Sequence, residues 1–279
     1  MLKISEISFP GFGIDSFHVN SVAFKIGELE IAWYAIIITI GIIAAVIYTI
    51  YRAGAVGISV DDIIDIALFT VPSGVIGARL YYVFSKLEDF HSLKEVLNIR
   101  SGGLAIYGGI LAGALAVLIT TKVKKIPFLV IADCCTPGII LAQAIGRWGN
   151  FMNGEAYGYE TTIFCRMGLN GMYVHPTFLY ESLWNILGVI LINLFYKKRQ
   201  YDGQVFLSVF AWYGLGRFFI EGLRTDSLYM TIFGLNFRTS QLLAAVIFLI
   251  CTSFLVYFIY KKPNKQLYIK KAPEKKVGK

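Results

Sequence analysis

The chain has 279 residues, of which 56% are hydrophobic and only 16% are charged, and its formal net charge is +8. A soluble globular domain usually carries about 25% charged residues, so the composition excludes an ordinary soluble domain and indicates a membrane protein. The positive charge does not indicate a nucleic-acid partner, because eight of the lysines lie between Lys261 and Lys279, directly after the last apolar segment. Basic residues in that position normally face anionic lipid.

Seven apolar segments follow one another along the chain, each close to the roughly 20 residues that a helix needs to cross the hydrocarbon core. The first is too long for the apolar part of a signal peptide, and no basic segment directly precedes it. We therefore predict an all-α polytopic membrane helix bundle of about seven transmembrane helices. It forms one membrane-embedded domain over residues 1–260, followed by a basic cytoplasmic tail without ordered structure over 261–279. The segments span about residues 31–51, 63–84, 103–121, 127–146, 177–196, 203–222 and 239–260.

The Lys and Arg residues between the segments predict the orientation. With the N-terminus outside, the inside segments carry 15 Lys and Arg residues and the outside segments carry nine. Basic residues accumulate on the cytoplasmic side, so we expect the N-terminus outside and the C-terminus inside. A short head segment then faces outward. It includes residues 85–101, where we expect a short interfacial helix, and residues 147–176, which are rich in Gly, Asn and Tyr.

Polar residues inside the first three apolar segments are candidates for function. Arg79 lies in the second segment, and an arginine at membrane depth costs at least a few kcal/mol, so it is a functional-site hypothesis by default. Gly102 and Gly103 open the third segment, which continues to Tyr107, and Tyr34 lies in the first. The paired glycines serve either as packing devices or as part of a site.

The densest group of polar residues beside an apolar segment is GRWGNFMNGEAYG, from Gly146 to Gly158. On a helix, Arg147 and Asn150 share a face because they are three residues apart. The glycines allow close backbone approach and leave N–H groups available to an anion. A guanidinium beside amide side chains suits a phosphate at headgroup depth. The alternative is an arginine that snorkels from a helix end, with glycines that only turn the chain.

A second polar group lies in the sixth segment. Tyr213, Arg217 and Glu221 are spaced by four residues and therefore line one face of a helix. Either Arg217 and Glu221 form a structural ion pair, or the polar face lines a cavity. The cavity is favoured, because apolar residues often stabilise a protein as well as a buried ion pair does. The four cysteines have no metal-binding spacing, so no metal site is predicted.

The segment from Gly146 to Gly158 resembles the signature of the bacterial prolipoprotein diacylglyceryl transferases. The resemblance extends over essentially the whole chain, because further short motifs agree in the same order. These are Trp33-Tyr34, Gly77-Ala78-Arg79, Ser101-Gly102-Gly103-Leu104, His175-Pro176 with Tyr180-Glu181, and Tyr213 followed by Arg217, Glu221 and Arg224.

The resemblance implies an enzyme of the bacterial cytoplasmic membrane. Members of this family transfer the diacylglyceryl group of phosphatidylglycerol to the cysteine thiol of a prolipoprotein signal peptide. The reaction forms a thioether, releases glycerol phosphate and is the first step of lipoprotein maturation. The implied partners are phosphatidylglycerol, prolipoprotein signal peptides and membrane lipids, with no nucleic acid, and no cofactor is expected.

The resemblance also implies roles for individual residues. Arg147 and Arg217 are expected to bind the phosphate, with Asn150 orienting the headgroup and Glu221 holding Arg217. Tyr34 and Tyr107 complete the expected catalytic set. The expected substrate-binding set also contains Arg79, Gly102, Gly103, Asn153, Glu155, Gly158 and Tyr213.

Tyr107 departs from the family pattern, since many members carry a histidine there. A tyrosine with a pKa near 10 is mostly protonated and is better suited to donating a hydrogen bond than to accepting a thiol proton. The thiol proton would then pass to a carboxylate such as Glu155, to water, or be lost through the field of the arginines. The sequence leaves these three possibilities open.

Two other functions compete with the transferase. A transporter or flippase for an anionic lipid would use the same arginines, but it would favour pseudo-symmetric halves or broken helices, which the sequence lacks. A non-catalytic chaperone for membrane proteins would leave the arginine and asparagine cluster unexplained.

Overall fold

A computed structural model of the chain describes residues 4–99, 102–232, 235–261 and 267–268. Helices account for most of these residues. The α-helices are α1 Trp33–Gly54, α2 Val60–Ser85, α3 Leu93–Leu97, α4 Ile106–Val123, α5 Phe128–Asn153, α6 Thr177–Phe195, α7 Gln204–Leu223 and α8 Thr239–Lys261.

Each of the seven predicted apolar segments overlaps one long helix, and α5 continues beyond its segment to Asn153, into the stretch predicted as part of the head segment. Within the described residues, six of these helices are long and apolar enough to cross a membrane, and α7 is the exception. Arg217 and Glu221 lie inside α7 and lower its mean hydropathy. The chain is therefore a mostly helical, polytopic membrane protein. The short helix expected within residues 85–101 is present as α3. Ser101 and the predicted tail, apart from residues 261 and 267–268, lie outside the described residues.

Short strands correct the prediction of an all-α chain. They are only three to seven residues long and lie outside the apolar segments, so the helix-length pattern missed them. Four of them form an antiparallel sheet in the order β2-β1-β5-β6, and the others form the hairpins β3–β4 and β7–β8. The strands are β1 Ile4–Phe9, β2 Ile14–Asn20, β3 Val22–Ile26, β4 Leu29–Ala32, β5 Met167–Leu169, β6 Met172–Val174, β7 Tyr229–Ile232 and β8 Leu235–Arg238.

The chain divides into two compact units. Unit 1 comprises Met1–Tyr48 and Cys135–Leu267, and unit 2 comprises Thr49–Cys134 and Tyr268–Lys279. Arg147, Arg217 and the four-stranded sheet belong to unit 1, whereas Arg79 and Tyr107 belong to unit 2.

In unit 1, the four-stranded sheet packs against the end of α5 and the start of α6. Ile7, Val19 and Leu169 of the sheet form a buried apolar cluster with Phe178 of α6, and Phe151 of α5 packs against it. This cluster holds in place the segment that follows α5. Strands β1 and β2, which precede that segment in the sequence, and strands β5 and β6, which follow it, contribute to the same core.

Helices α6 and α7 of unit 1 are joined by a pair of tryptophans. The rings of Trp184 and Trp212 stack with their centroids 4.2 Å apart. Each indole N–H donates to the backbone carbonyl of the other tryptophan over 3.0 Å. Gly188 and Gly216 make room for the two rings, since a Cβ at either position would overlap an indole. The arrangement holds α6 and α7 close together in a fixed register.

In unit 2, small residues bring α2 and α4 into close contact. A Cβ on Gly77 would lie 2.6 Å from the carbonyl oxygen of Gly108 and would overlap the side chain of Ala112. One turn earlier, a Cβ on Gly74 would meet the Gly109 carbonyl oxygen at 3.6 Å, which is an ordinary contact. Gly77 on α2, like Gly108 opposite it on α4, is therefore a position at which this helix pair has no room for a side chain.

We predict that Gly77→Ala lowers the thermal unfolding midpoint of the purified protein in detergent. Forcing a methyl into a filled interface typically costs about 1–3 kcal/mol, more than the gain in helix propensity returns. Gly74→Ala is the matched control, because it makes the same substitution on the same face where there is room. Its midpoint should equal or exceed that of the wild type. Equal midpoints for the two variants would contradict the close approach at Gly77.

Candidate active site

One carboxylate joins the two arginines that the sequence predicted for the site. Glu181 Oε1 accepts from Arg147 Nη2 over 2.6 Å, and Glu181 Oε2 accepts from Arg217 Nη1 over 2.9 Å. The side chain of Glu181 is 3% exposed, and those of Arg147 and Arg217 are 17% and 13% exposed. These three residues come from α5, α6 and α7, and we call them the charged bridge.

Arg217 and Glu221 form the ion pair that their spacing had left as the less favoured alternative to a cavity and that the family resemblance implied. Arg217 Nη2 lies 2.5 Å from Glu221 Oε2, one helical turn away on α7. Glu221 is buried, with 2% of its surface exposed. Two carboxylates therefore hold the Arg217 guanidinium from two sides and restrict its rotation.

The signature segment continues the network from Arg147. Helix α5 extends to Asn153, so Arg147 and Asn150 lie on one helical face as predicted, and Arg147 Nη1 donates to Asn150 Oδ1 over 3.1 Å. The side-chain amides of Asn150 and Asn153 both donate to Glu155 Oε1, over 2.9 Å and 3.2 Å. Glu155 itself is exposed. The two amides thus hold one oxygen of an accessible carboxylate and link it to the charged bridge through Asn150.

The local structure explains why two positions of the signature, Gly154 and Gly158, are glycine. Gly154 ends α5 with a φ of +58°, a conformation that favours glycine, and a Cβ there would overlap Ser5 Oγ. Gly158 N–H donates to the His175 carbonyl over 2.9 Å, and a Cβ on Gly158 would lie 2.7 Å from the Leu223 carbonyl oxygen. Gly158 therefore brings three chain segments together, and a direct role in substrate binding stays a prediction.

Two of the predicted tyrosines lie in unit 1. The ring of Tyr34 on α1 packs on α5, where a Cβ at Gly149 would approach it to 2.8 Å. The Tyr34 hydroxyl lies within electrostatic range of Glu155 and Arg147. Tyr213 on α7 interacts electrostatically with all three members of the charged bridge. Their assigned roles stay predictions, but both lie beside groups of the same network.

The remaining predicted residues belong to unit 2. Arg79 is buried, and its guanidinium donates to five backbone carbonyls, including those of Gly102 and Gly103 at 2.7 Å and 2.9 Å. Its other acceptors are the carbonyls of Val96, Glu95 and Asn98. Arg79 therefore organises the segment before α4. Tyr107 lies at the start of α4. Substrate roles for Arg79, Gly102, Gly103 and Tyr107 stay predictions.

Sequence reasoning assigned no role to Glu181, the residue at the centre of the bridge. The available signal was the one used for Arg217, because Glu181 is a charged residue inside an apolar segment. It also missed Arg238 at the end of β8. Arg238 donates to the Glu221 carbonyl over 2.5 Å and to the Tyr159 hydroxyl over 2.8 Å. Arg238 thereby ties the β7–β8 hairpin to the C-terminal end of α7.

His175 precedes α6 and makes a separate contact. Its Nδ1 lies 3.3 Å from the Tyr180 hydroxyl, which in turn lies 3.5 Å from Cys165 Sγ. Burial lowers the pKa of His175, so the imidazole is neutral at pH 7. This agrees with its predicted position in a loop before a helix.

One donor of the charged bridge is unused. Arg147 Nε is buried and has no hydrogen-bond partner among the described residues. Arginine forks bind carboxylates and phosphates with the same paired geometry. Within the described residues, no group of three or more His, Cys, Asp or Glu side chains could hold a metal ion.

Comparisons with known proteins find one family and several similar chains. The family model described as prolipoprotein diacylglyceryl transferase matches residues 21–257. A phosphatidylglycerol–prolipoprotein diacylglyceryl transferase of Enterococcus faecalis is 44% identical over 274 residues, covering 93% of this chain and 97% of the relative. A similarly named protein of Clostridium perfringens is 45% identical over 265 residues, covering 90% of this chain and 100% of the relative.

We predict that Glu181→Gln lowers the thermal unfolding midpoint in detergent, although glutamine has nearly the same volume. The change removes the anion between two largely buried cations, and breaking such a buried arrangement typically costs about 3–5 kcal/mol. Glu160→Gln is the control, since Glu160 is exposed. If both variants have the same thermal unfolding midpoint as the wild type, the charged bridge contributes nothing to the stability of unit 1.

Proposed function

This chain belongs to the prolipoprotein diacylglyceryl transferase family, and we propose that its reaction takes place at the charged bridge of Arg147, Glu181 and Arg217. The enzyme transfers the diacylglyceryl group of phosphatidylglycerol to the cysteine thiol of a prolipoprotein signal peptide. The product is a thioether, and glycerol phosphate is released. This is the first step of lipoprotein lipidation.

The reaction exchanges one bond for another at a single carbon. The thiol sulfur attacks the glycerol carbon of the diacylglyceryl group that carries the phosphate oxygen. The carbon–oxygen bond breaks, and its electron pair stays on that oxygen. The phosphodiester monoanion becomes a monoester that either carries a second negative charge or takes up a proton. The thiol proton must leave the sulfur, because the thiolate is the nucleophile.

The convergence of two guanidinium groups on one carboxylate is the observation that carries this proposal. Arg147 and Arg217 each donate to a different oxygen of Glu181, over 2.6 Å and 2.9 Å. Glu181 occupies one N–H group of each guanidinium, and a phosphate would accept from N–H groups that Glu181 leaves free, such as the Nε–H of Arg147. That Glu181 holds two guanidinium groups side by side supports a role of both arginines in binding the phosphate of the lipid.

Fixed guanidinium groups favour the transition state over the bound lipid. Negative charge on the leaving phosphate grows as the carbon–oxygen bond breaks, and donors that are already oriented stabilise the larger charge more strongly. Glu221 keeps Arg217 oriented, and Asn150 does the same for Arg147, which it contacts at 3.1 Å. These two residues act through the arginines.

Glu155 is our candidate for the acceptor of the thiol proton. Asn150 and Asn153 hold its Oε1, and its side chain is exposed, so a thiol can reach it. Its connection to Arg147 runs through Asn150, which places the acceptor close to the phosphate-binding group. For Tyr107 we propose the role in orienting substrate that its hydroxyl, a hydrogen-bond donor, allows.

We also propose the finer topology. In it, α7 crosses the membrane as a seventh span, the N-terminus lies outside, and the C-terminus lies in the cytoplasm. The charged groups of α7 support a buried span, because Arg217 and Glu221 are paired inside unit 1. The excess of Lys and Arg in the predicted inside segments supports the orientation. The site would then lie at the outer side of the bacterial cytoplasmic membrane.

We predict that Arg147→Ala and Arg217→Ala each reduce the rate of transfer by about a hundredfold or more. Loss of one well-placed charged donor raises the barrier by about 3 kcal/mol. The assay incubates purified protein with phosphatidylglycerol and a signal peptide that ends in Leu-x-x-Cys, and mass spectrometry measures the peptide gaining one diacylglyceryl group. Arg166→Ala is the control, because Arg166 contacts only its own loop and Tyr173 in the described residues.

Two results would contradict this prediction. Undiminished transfer by both arginine variants would remove the phosphate-binding role. Lipid movement across vesicle membranes, with no peptide product from the wild type, would favour the transporter.

We predict that Glu155→Gln lowers the rate at pH 7 by about a hundredfold, a typical contribution of a general base. The defect should shrink as the pH rises toward about 8.5, because the peptide thiol then ionises without help. Rates from pH 6 to 9 for wild type, Glu155→Gln and Tyr107→Phe measure this. Parallel pH profiles for wild type and Glu155→Gln would exclude Glu155 as the acceptor, and an unchanged rate in Tyr107→Phe would exclude its hydroxyl.

A further inference from the structure

A second set of polar residues lies one helical turn from the charged bridge, toward the middle of each helix. Gln143 precedes Arg147 by four residues on α5, Asn185 follows Glu181 by four on α6, and Tyr213 precedes Arg217 by four on α7. Residues four apart share a helical face, so each lies beneath one member of the bridge. We call Gln143, Asn185 and Tyr213 the inner polar layer.

Side chains of the inner polar layer lie beside one another. Asn185 Nδ2 donates to Gln143 Oε1 over 3.2 Å, and the side chain of Gln143 lies next to that of Tyr213. One polar atom of the layer remains unused. Asn185 is 0% exposed, and its Oδ1 has no hydrogen-bond partner within the part of the chain that the structure describes.

An unpaired acceptor inside apolar helices is costly. Burial without a partner costs the full desolvation of the group, and apolar side chains of similar shape would avoid that cost. Three adjacent helices nevertheless each place a polar residue at this level. The unused Asn185 Oδ1 therefore indicates a ligand that donates a hydrogen bond at this point.

We propose that Asn185 Oδ1 accepts a hydrogen bond from a hydroxyl of the glycerol headgroup of the bound lipid. The inference rests on the proposed function, in which the charged bridge binds the lipid phosphate. Four residues of helix rise about 6 Å, which is comparable to the reach of a glycerol group from its phosphorus to its hydroxyls. Asn185 is then a specificity-determining residue for a polyol headgroup, supported by Gln143 and Tyr213.

A trapped water is the alternative donor of a hydrogen bond to Asn185 Oδ1. The hydrogen bond from a water to Asn185 would be present whichever lipid is bound. The hydrogen bond from the headgroup is absent when the lipid has no headgroup hydroxyl. A site built for a hydroxyl discriminates strongly against the analogue without it, because the buried acceptor is left unpaired. Lipid discrimination therefore separates the two sources.

The test compares phosphatidylglycerol with phosphatidylpropanol, which has the same three-carbon headgroup without free hydroxyls. The kcat/KM for transfer to the signal peptide is measured with both lipids for wild type, Asn185→Leu and Asn185→Ala. The kcat/KM for phosphatidylglycerol is divided by that for phosphatidylpropanol, both measured on the same preparation of one variant. Because both values are proportional to the amount of folded enzyme, their ratio does not depend on the folded fraction. Asn193→Leu is the control on the same helix, because Asn193 is already satisfied by Tyr48 and the Val189 carbonyl.

We expect the wild type and Asn193→Leu to favour phosphatidylglycerol by about tenfold or more, the cost of leaving one buried acceptor unpaired, and the Asn185 variants to show a ratio near one. A wild-type ratio near one overturns the proposal by itself, even if the variants do not fold. An unchanged ratio in folded Asn185 variants also overturns it, including when both lipids slow equally, as a structural water would produce. Transfer of neither lipid by the wild type would instead contradict the proposed function.

Discussion

Glu181 places one carboxylate between two guanidinium groups that come from different helices, and unit 1 is arranged around this contact. Charged residues within apolar helices are expensive unless they are paired, so Arg147 on α5 and Arg217 on α7 depend on Glu181 on α6. The pairing fixes how these three helices meet. It also keeps two cations oriented toward one small volume, which is what binding a phosphate and stabilising its growing charge both require.

The rest of unit 1 maintains this geometry through packing. The stacked pair of Trp184 and Trp212 holds α6 to α7, with glycines that make room for the rings. The apolar cluster under the four-stranded sheet fixes the chain that leaves α5, which carries Asn153 and Glu155. At the C-terminal end of α7, Arg238 binds the backbone of Glu221. Each contact restricts an element that carries a charged group of the site.

Part of this arrangement could be predicted from the sequence, because it depends on local spacing. Apolar length predicted the helices, and helical periodicity predicted that Arg147 shares a face with Asn150 and Arg217 with Glu221. The ion pair between Arg217 and Glu221 was implied by the family resemblance, because their spacing alone favoured a cavity. The role of Glu181 could not be predicted, since its partners lie 34 and 36 residues away. The five carbonyls around Arg79 likewise depend on how a loop folds back. The strands were missed because they are short and lie outside the apolar segments.

Binding of the lipid phosphate by Arg147 and Arg217 together is the contact on which the proposed reaction depends. Solid-state NMR can measure it directly, through distances between the phosphorus of bound phosphatidylglycerol and the ¹⁵N-labelled guanidinium groups, assigned with Arg147→Lys and Arg217→Lys. Two hydrogen-bonded guanidinium groups should give two phosphorus–nitrogen distances of about 4 Å, each lost in the corresponding variant. A bound, reactive lipid whose phosphorus approaches neither arginine would contradict the account.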